Sequence, residues 1–584
     1  MPYRQVTERG FVCHDDLAPL RCLVVRDREV LDLDRALTLL PTTPVGVTEG
    51  KFDVDDHAYA GVVARVINDE IGRGEGANFV IRRDYLARTS VPAPHAALRL
   101  LRRLLIGEPG AYWTFAVHAG DRTMVGASPE RHVSVCGGQV LMNPISGTYR
   151  FPPEGPSGAG LLQFLADPKE TEELFMVVDE ELKMMSRICD RGGQVLGPYV
   201  KQMSALAHTE YLLSGRTGLD VREVLRETMF AATVTGSPME NAARVITRHE
   251  STGRGYYSGV LALIGQDDNG QRSLDAPILI RTAHLDHGGQ VRVPVGATLV
   301  RHSVPTQEVA ETHAKAAGVL RALGVASTPT VTQSGAPMVR LAMYPGVEQA
   351  LARRNQTLAP FWLNPQQDRP QPQLVGRRAL IIDAEDAWTA MLAHLLRRLG
   401  MSATVHRWEH LPDPGDYDLL VAGPGPGDPR HLAQPRIARL REIIQDRLAS
   451  RKPLLAVCLS HQVLADLLGL PIVALAVPHQ GSQRRIDLFG RTVIVGYYNT
   501  YTAAESADFP GRPGLQIAAD PQTGEVHALR GTGFASVQFH LESLLSTDGF
   551  RILADLTAAL LGPLCEPPAA AIPAWLQEKL RLAQ

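Results

Sequence analysis

The chain has 584 residues, 45% hydrophobic and 21% charged, with a formal net charge of −3. That length exceeds what one hydrophobic core sustains and predicts two or three domains. Charges of both signs are interspersed, which excludes the basic footprint of a nucleic-acid partner or an acidic membrane surface. No apolar run approaches the roughly 18 residues of a membrane span. The start MPYRQVTERGF is charged and has no apolar signal-peptide core. The six cysteines (Cys13, Cys22, Cys136, Cys189, Cys458 and Cys565) include no CxxC pair, which fits a reducing cytoplasm and argues against a zinc ribbon or disulfide framework.

Residues 1–325 alternate β-rich runs with long helical patterns. AYWTFAVHAGDRTMVGASPERHVSVCGGQVLMNPISGTYR reads as several strands joined by Gly/Asp turns. DPKETEELFMVVDEELKMMSRICD reads as one amphipathic helix with Leu174, Val178, Leu182 and Met185 on one face. YYSGVLALIG, DAPILIRTAHLD and GQVRVPVGATLV predict further strands, and PTQEVAETHAKAAGVLRALG a helix ending at Gly324. Together they predict a large α+β domain, antiparallel sheets flanked by helices. Residues 326–376 are rich in Pro, Gln and Ser/Thr and read as a linker, long enough to reach a second subunit. Residues 377–566 carry the short apolar strands ALIIDA, YDLLVAGPG, PLLAVC and FASVQFH between helical patterns, which predicts a doubly wound α/β domain. Residues 567–584 remain as a C-terminal tail.

Cys458 falls between the strand PLLAV and the helix HQVLADLLGL. A strand-to-helix turn puts a side chain at the carboxyl edge of a parallel sheet, and the helix N-terminus lowers a thiol pKa and offers N–H groups to an oxyanion. Taken alone, such a cysteine is more often a buried small hydrophobe. Two stretches shift the balance. In SVQFHLES, His540 ends a strand and Glu542 lies two residues on, on the same strand face, placed to orient the imidazole. In AGPGPGDP, a Gly/Pro loop after a strand can turn N–H groups inward.

This ordered set resembles the class I, triad glutamine amidotransferases over about 185 residues. The resemblance implies Cys458 as nucleophile, His540 as base and Glu542 as its orienter. It also puts Gln462 beside the glutamine, Gly425 within a Gly423–Gly427 oxyanion loop, and YYNTYT (497–502) at a substrate-contacting segment. The chain departs from the family's Gly-x-Cys-x-Gly pattern with Ala456 and Ser460, so Ser460 must tolerate whatever backbone angles the glycine allowed.

Two N-terminal helices carry Glu170 with Glu173 and Glu308 with Glu311, each pair at i, i+3 and so on one helical face. Glutamates on amphipathic helices are mostly solvated, but four convergent carboxylates suit Mg²⁺. In order along the chain stand GASPERHVS, NPISGTYR, LRETMFAATVTGSPMENAARVI, GRGYYSGV, ILIRTAH and the helix with Glu308, Glu311 and Lys315. This series resembles the chorismate-utilising synthases over most of residues 60–322. The resemblance implies Glu130 as the acid that protonates the departing C4 hydroxyl and His208 as a ring-facing histidine. It implies Thr233, Tyr257, Arg281 and Lys315 as substrate contacts, Gly147 and Thr148 as a backbone-contact loop, and the four glutamates as the Mg²⁺ site. Arg281 lies within the apolar run ILIRTA, where an unpaired charge would be costly.

Family members that add water carry a lysine base where this chain has Asn78, and an asparagine is no base at neutral pH. That points to ammonia as the nucleophile, in agreement with the amidotransferase half. Met239 and Thr298, the FMVVDEELKMMSRICD helix and the Ala456/Ser460 pair resemble the phenazine-pathway branch. That branch implies a product, 2-amino-2-desoxyisochorismate (ADIC), with pyruvate retained. The substrates expected are chorismate and L-glutamine, with ammonia passing between domains. The alternatives are a fused anthranilate synthase that also eliminates pyruvate, and a non-catalytic amidotransferase half serving as a docking module. A cytoplasmic homodimer is expected on the base rate of two-fold oligomers.

Overall fold

The computed structural model describes residues 11–12, 14, 19–48, 50–152, 154–325, 340–506, 509 and 513–562. It separates into two compact units. The first is Met1–Ile71 with Gly76–Gln356, and the second is Gly72–Glu75 with Thr357–Gln584.

The first unit is built on two seven-stranded antiparallel sheets. One runs in the order Lys51–Phe52, Asn78–Arg88, Gln290–Val300, Thr282–Asp286, Arg122–Ser128 and Trp113–Ala119, with Gly236–Ser237 paired to the long Asn78–Arg88 strand. The other runs Leu263–Gln266, Arg272–Pro277, Arg131–Cys136, Gln139–Met142, Leu206–Arg216 and Ile145–Arg150, with Gln194–Gln202 also on Leu206–Arg216. The helix Pro168–Ile188 buries Leu174, Val178, Leu182 and Met185 completely, the face expected from the spacing. The helix Pro305–Leu323 stops at Gly324, whose φ of 83° is the left-handed cap a glycine supplies without a Cβ penalty.

The run ILIRTA is not one strand. The ladder breaks between Pro277 and Thr282, and Arg281 takes a φ of 51°. Such an angle is costly for a residue with a side chain and is held only where surrounding structure over-determines it.

The second unit is a seven-stranded sheet in the order Ser402–Arg407, Arg378–Asp383, Leu419–Ala422, Leu454–Val457, Phe534–Val537, Val526–Gly531 and Gln516–Ala519. The first five strands are parallel and the last two antiparallel, so the expected doubly wound sheet carries an antiparallel edge. The central strands are fully buried and read as near-continuous apolar runs because helices cover both faces. A separate two-stranded ribbon pairs Ile472–Asp487 with Thr492–Ala503. Gly74 belongs to this unit, and its carbonyl accepts from Gly427 N–H at 3.3 Å.

The stretch read as a linker over 326–376 is folded from residue 340 onward. Leu341 and Val347 pack with Leu161, Phe164, Leu165 and Ala207 in the first unit. Trp362 is buried in the second unit and donates its indole N–H to the Glu542 carbonyl at 2.8 Å. Its Pro- and Gln-rich composition hid these anchors because apolar stretches such as LAM and PFWL are too short to show a period. Residues 326–339 of that stretch and the tail 567–584 lie outside the described residues.

Candidate active sites

In the second unit, Cys458 follows the buried strand Leu454–Val457 and is the N-cap of the helix Leu459–Leu468. Its φ of 53° and ψ of −108° are those of a strained turn, and the strain sits on the cysteine itself. Ser460 lies inside the helix and needs no glycine-only angle. Its hydroxyl donates to the Gly423 carbonyl at 2.7 Å.

His540 lies three residues past the end of its strand, which stops at Val537, so the expected strand-face relation is not what aligns it with Glu542. Instead His540 forms an isolated bridge to Gly496, and its carbonyl accepts from Ser546 Oγ. Its Nδ1 is 3.0 Å from Glu542 Oε1, both side chains being almost fully buried. An ionised Glu542 makes Nδ1 the donor and leaves Nε2 for the thiol. Burial opposes a charge on this imidazole, but Cys458 and Glu542 outweigh it, each also hydrogen-bonding the ring, and hold it up to about 10. The ring is therefore poised to hold a proton taken from Cys458, whose thiolate would be the attacking form.

The loop after the strand Leu419–Ala422 is made of glycines for lack of room. A Cβ on Gly423 would meet Ile382 O at 2.3 Å, and one on Gly425 would meet Ala384 O at 2.4 Å. Gln462 is buried and donates to Tyr501 O at 2.5 Å and to Gln538 Oε1 at 3.0 Å, so its amide is committed to the protein. Gln538, which the sequence reading did not single out, passes the link on, since its Nε2 is 3.8 Å from Cys458 Sγ. Trp388 was also missed. Its ring lies 4.5 Å from His540, centroid to centroid. The signal for Gln538 was its place in QFH, two residues before the base. Trp388 had none, because it comes from a helix some 150 positions earlier.

In the first unit, Glu130, Gly147, Thr148, Thr233, Tyr257, Arg281 and Lys315 line one cavity together with His208, Glu173 and Thr298. The strained turn at Arg281 brings its guanidinium to 3.3 Å from His208 Nε2. Arg281 can only donate, so His208 Nε2 accepts and Nδ1–H donates to the Gly147 carbonyl at 2.6 Å. Burial first, and then the Arg281 charge, push the His208 imidazole down to about 3, so it is neutral. Gly147, with a φ of 73°, sits at a register shift, and a Cβ there would meet Glu170 Oε2 at 2.9 Å. Lys315 pairs with Glu311 at 2.6 Å and donates to Gly296 O at 3.1 Å. Burial opposes the ammonium, but Glu311 keeps its pKa raised.

Glu130 is 3% exposed. Burial pushes its carboxyl up to about 8, against the lowering influence of Thr233, the Ile145 backbone, Lys315 and Arg281. It is therefore a protonated acid at neutral pH. Behind it Glu181, also buried, is raised well above the ordinary carboxylate range by burial and by Glu130 itself.

Asn78 is buried but does not line the cavity. Its backbone pairs with Ser237 and Val300, and Val80, two residues along, is the strand's contribution to the wall. The four glutamates lie on the two expected helices, yet among the described residues no group of three or more His, Cys, Asp or Glu side chains is placed to hold a metal. Glu170 accepts from Thr148 N–H at 3.0 Å, Glu173 from Ser146 Oγ at 2.7 Å, and Glu311 is held by Lys315. The donor chemistry is that of a hard divalent cation, but the placement is not a closed ligand set.

Residues 21–321 match the chorismate binding enzyme family, and residues 380–559 match the class-I glutamine amidotransferases. The two halves therefore define a chorismate-binding enzyme joined in one chain to a glutamine amidotransferase. A Pseudomonas chlororaphis protein named "Anthranilate synthase, phenazine specific" is 52% identical over 95% of this chain and 86% of its own length, and its Pseudomonas fluorescens namesake matches equally. The anthranilate synthase of Azospirillum brasilense is 29% identical over 78% of this chain and 59% of that protein. Among solved structures, anthranilate synthase component I from Streptococcus pneumoniae TIGR4 is 28% identical, covers 48% of this chain and 60% of that chain, and has a TM-score of 0.41. The chain belongs to the family of the phenazine-specific anthranilate synthases. No described helix is long and apolar enough to cross a membrane.

Proposed function

We propose that this chain aminates chorismate at C2 with nitrogen from glutamine, expelling the C4 hydroxyl and giving 2-amino-2-desoxyisochorismate and glutamate, with pyruvate retained. The observation that carries the reading is the cavity of the first unit, where a carboxyl held protonated to about pH 8, Glu130, faces the same space as the cations Arg281 and Lys315.

In the glutamine half, the Cys458 thiolate attacks the side-chain amide carbon. The oxyanion takes N–H donors from the Gly425 loop and the helix N-terminus, and His540 gives its proton to the leaving nitrogen. Ammonia departs, a thioester remains, and water activated by the now neutral His540 releases glutamate. Glu542 fixes the imidazole tautomer throughout, the orienting part of a triad. In the chorismate half, Arg281 and Lys315 suit the two carboxylates of the substrate. Glu130 protonates the C4 oxygen, which leaves as water, as ammonia adds at C2 and loses one proton. Ammonia is already a nucleophile, so this step needs no lysine base. Neutral His208 has both ring nitrogens engaged, by Gly147 and Arg281, so its part here is to orient the Arg281 guanidinium in the cavity.

Loss of pyruvate would require a base to remove the C2 proton, which is the step a fused anthranilate synthase adds. Incubation of the pure enzyme with chorismate, glutamine and Mg²⁺ is expected to give no rise in anthranilate fluorescence while glutamate accumulates. A strong anthranilate signal would shift the assignment to that alternative.

Mg²⁺ is part of the proposal on the chemistry of Glu170, Glu173, Glu308 and Glu311. Glu308 is wholly buried on the helix that also carries Glu311 and Lys315, and Glu173 lines the substrate cavity. A bound ion would neutralise the set and hold an anionic substrate group. No step is assigned to it. Calorimetric Mg²⁺ binding in the presence of chorismate is expected, and Glu308→Gln is expected to weaken it at least about tenfold, the scale of a lost charged ligand. Undiminished binding in that variant would remove Glu308 from the set.

A further inference from the structure

The parallel ladder between Leu419–Ala422 and Leu454–Val457 ends at the pair Ala422–Ala456. Past that pair the two chains diverge, one into the Gly423–Gly427 loop and the other through Cys458 into its helix. The hydrogen bond that joins them again is Ser460 Oγ to Gly423 O at 2.7 Å, and the Ser460 side chain is fully buried. The loop is held elsewhere by Arg436, which donates to Pro426 O at 2.6 Å, on the far side of Gly425. Gly425 N–H itself has no acceptor among the described residues, and Leu459 N–H belongs to the first helical turn, where no intrahelical partner exists.

We propose that Ser460 is a positioning residue, whose hydroxyl fixes the direction of the Gly425 N–H relative to Cys458. The inference rests on the reading of Cys458 as the glutamine nucleophile. The peptide between Gly423 and Pro424 is planar, and its carbonyl is held by Ser460. The proline ring locks the next φ. One soft torsion, ψ of Pro424, then separates the anchored carbonyl from the plane that carries Gly425 N–H. The backbone at Gly425 passes close to both walls, since an added Cβ would meet Ala384 O at 2.4 Å and Leu459 Cδ2 at 3.0 Å. With alanine at 460, the carbonyl plane is free to rotate and the N–H loses its aim, although nothing that touches the substrate has been removed.

The test is made on the full chain. Loss of a direct oxyanion donor typically costs a hundred- to a thousandfold, so loss of the group that aims it is expected to cost about ten- to a hundredfold. Ser460→Ala should lower kcat for glutamine hydrolysis by that factor with KM for glutamine changed less than about twofold, because the N–H is used by the tetrahedral intermediate and not by bound substrate. Alkylation of Cys458 by iodoacetamide passes through no oxyanion and should keep its rate, and ammonium-driven turnover should be unaffected. Unchanged glutamine kcat in Ser460→Ala overturns the inference. So does an equal fall in the alkylation rate, which would mean that the turn around Cys458 itself had been disturbed. Cys458→Ser separates the two levels. If it still uses glutamine, the nucleophile reading fails. If it is inactive with glutamine while Ser460→Ala is fully active, only the positioning role fails.

Discussion

Cys458→Ser is expected to lower glutamine-driven turnover by about a thousandfold or more, the scale of losing a covalent nucleophile, and to leave ammonium-driven turnover within about twofold of the parent enzyme. The reason lies in what a serine hydroxyl lacks. In the parent enzyme His540, held up to about 10 by Cys458 and Glu542, stands ready to take the thiol proton. A serine hydroxyl is a far weaker acid than a thiol, so the same imidazole cannot turn it into a comparable nucleophile. The synthase cavity uses none of these groups, so added ammonium bypasses the defect. Comparable loss with both nitrogen sources would show that the substitution damaged the chain rather than the chemistry. Retained glutamine use would remove Cys458 from the role and revive the idea of a non-catalytic docking half.

Glu130→Gln carries the second large effect. The amide is nearly isosteric and fits the buried site, so chorismate binding is expected to survive within a few-fold. Amination should fall by about 10²- to 10⁴-fold with either nitrogen source, the usual contribution of a positioned acid. The pH dependence supplies an independent check. Burial raises the Glu130 pKa to about 8, so the proton is in place below that value and is lost as the pH rises through it. Glutamine-driven kcat in the parent enzyme should therefore carry an alkaline limb near pH 8. Residual turnover in Glu130→Gln should lack that limb. Normal turnover in the variant, or a limb that survives the substitution, would move the acid elsewhere, and buried Glu181 behind it would be the group to examine.

The architecture of both halves was legible because each follows a simple rule. Period-two strands with Gly/Asp turns gave the antiparallel sheets, and short apolar runs between helical patterns gave the parallel one. Site residues were legible where a motif concentrated them, as with Cys458, His540 and Glu542. They were less legible where geometry depends on a break in regular structure. ILIRTA reads as a strand, yet the positive φ at Arg281 is what brings its side chain to His208. QFHLE reads as a strand end, yet His540 is held by a bridge to Gly496 beyond it. Long-range partners left almost no signal. Asn78 aligned with a reacting position but is not among the residues that line the cavity, and the spacing of the four glutamates could not tell that Thr148, Ser146 and Lys315 would engage three of them. At Ser460 the sequence raised the right question with the wrong worry. No unusual backbone angle is required there, and the hydroxyl has a partner across the fold.

The account stands on the identity of the product. The most direct measurement is mass spectrometry of chorismate turned over by the full chain with glutamine labelled with ¹⁵N at its side-chain amide. The expected result is a single labelled nitrogen in a product that still carries the enolpyruvyl group, 2-amino-2-desoxyisochorismate, with no equivalent release of pyruvate. Labelled anthranilate formed in step with pyruvate, or a product without the label, would contradict it.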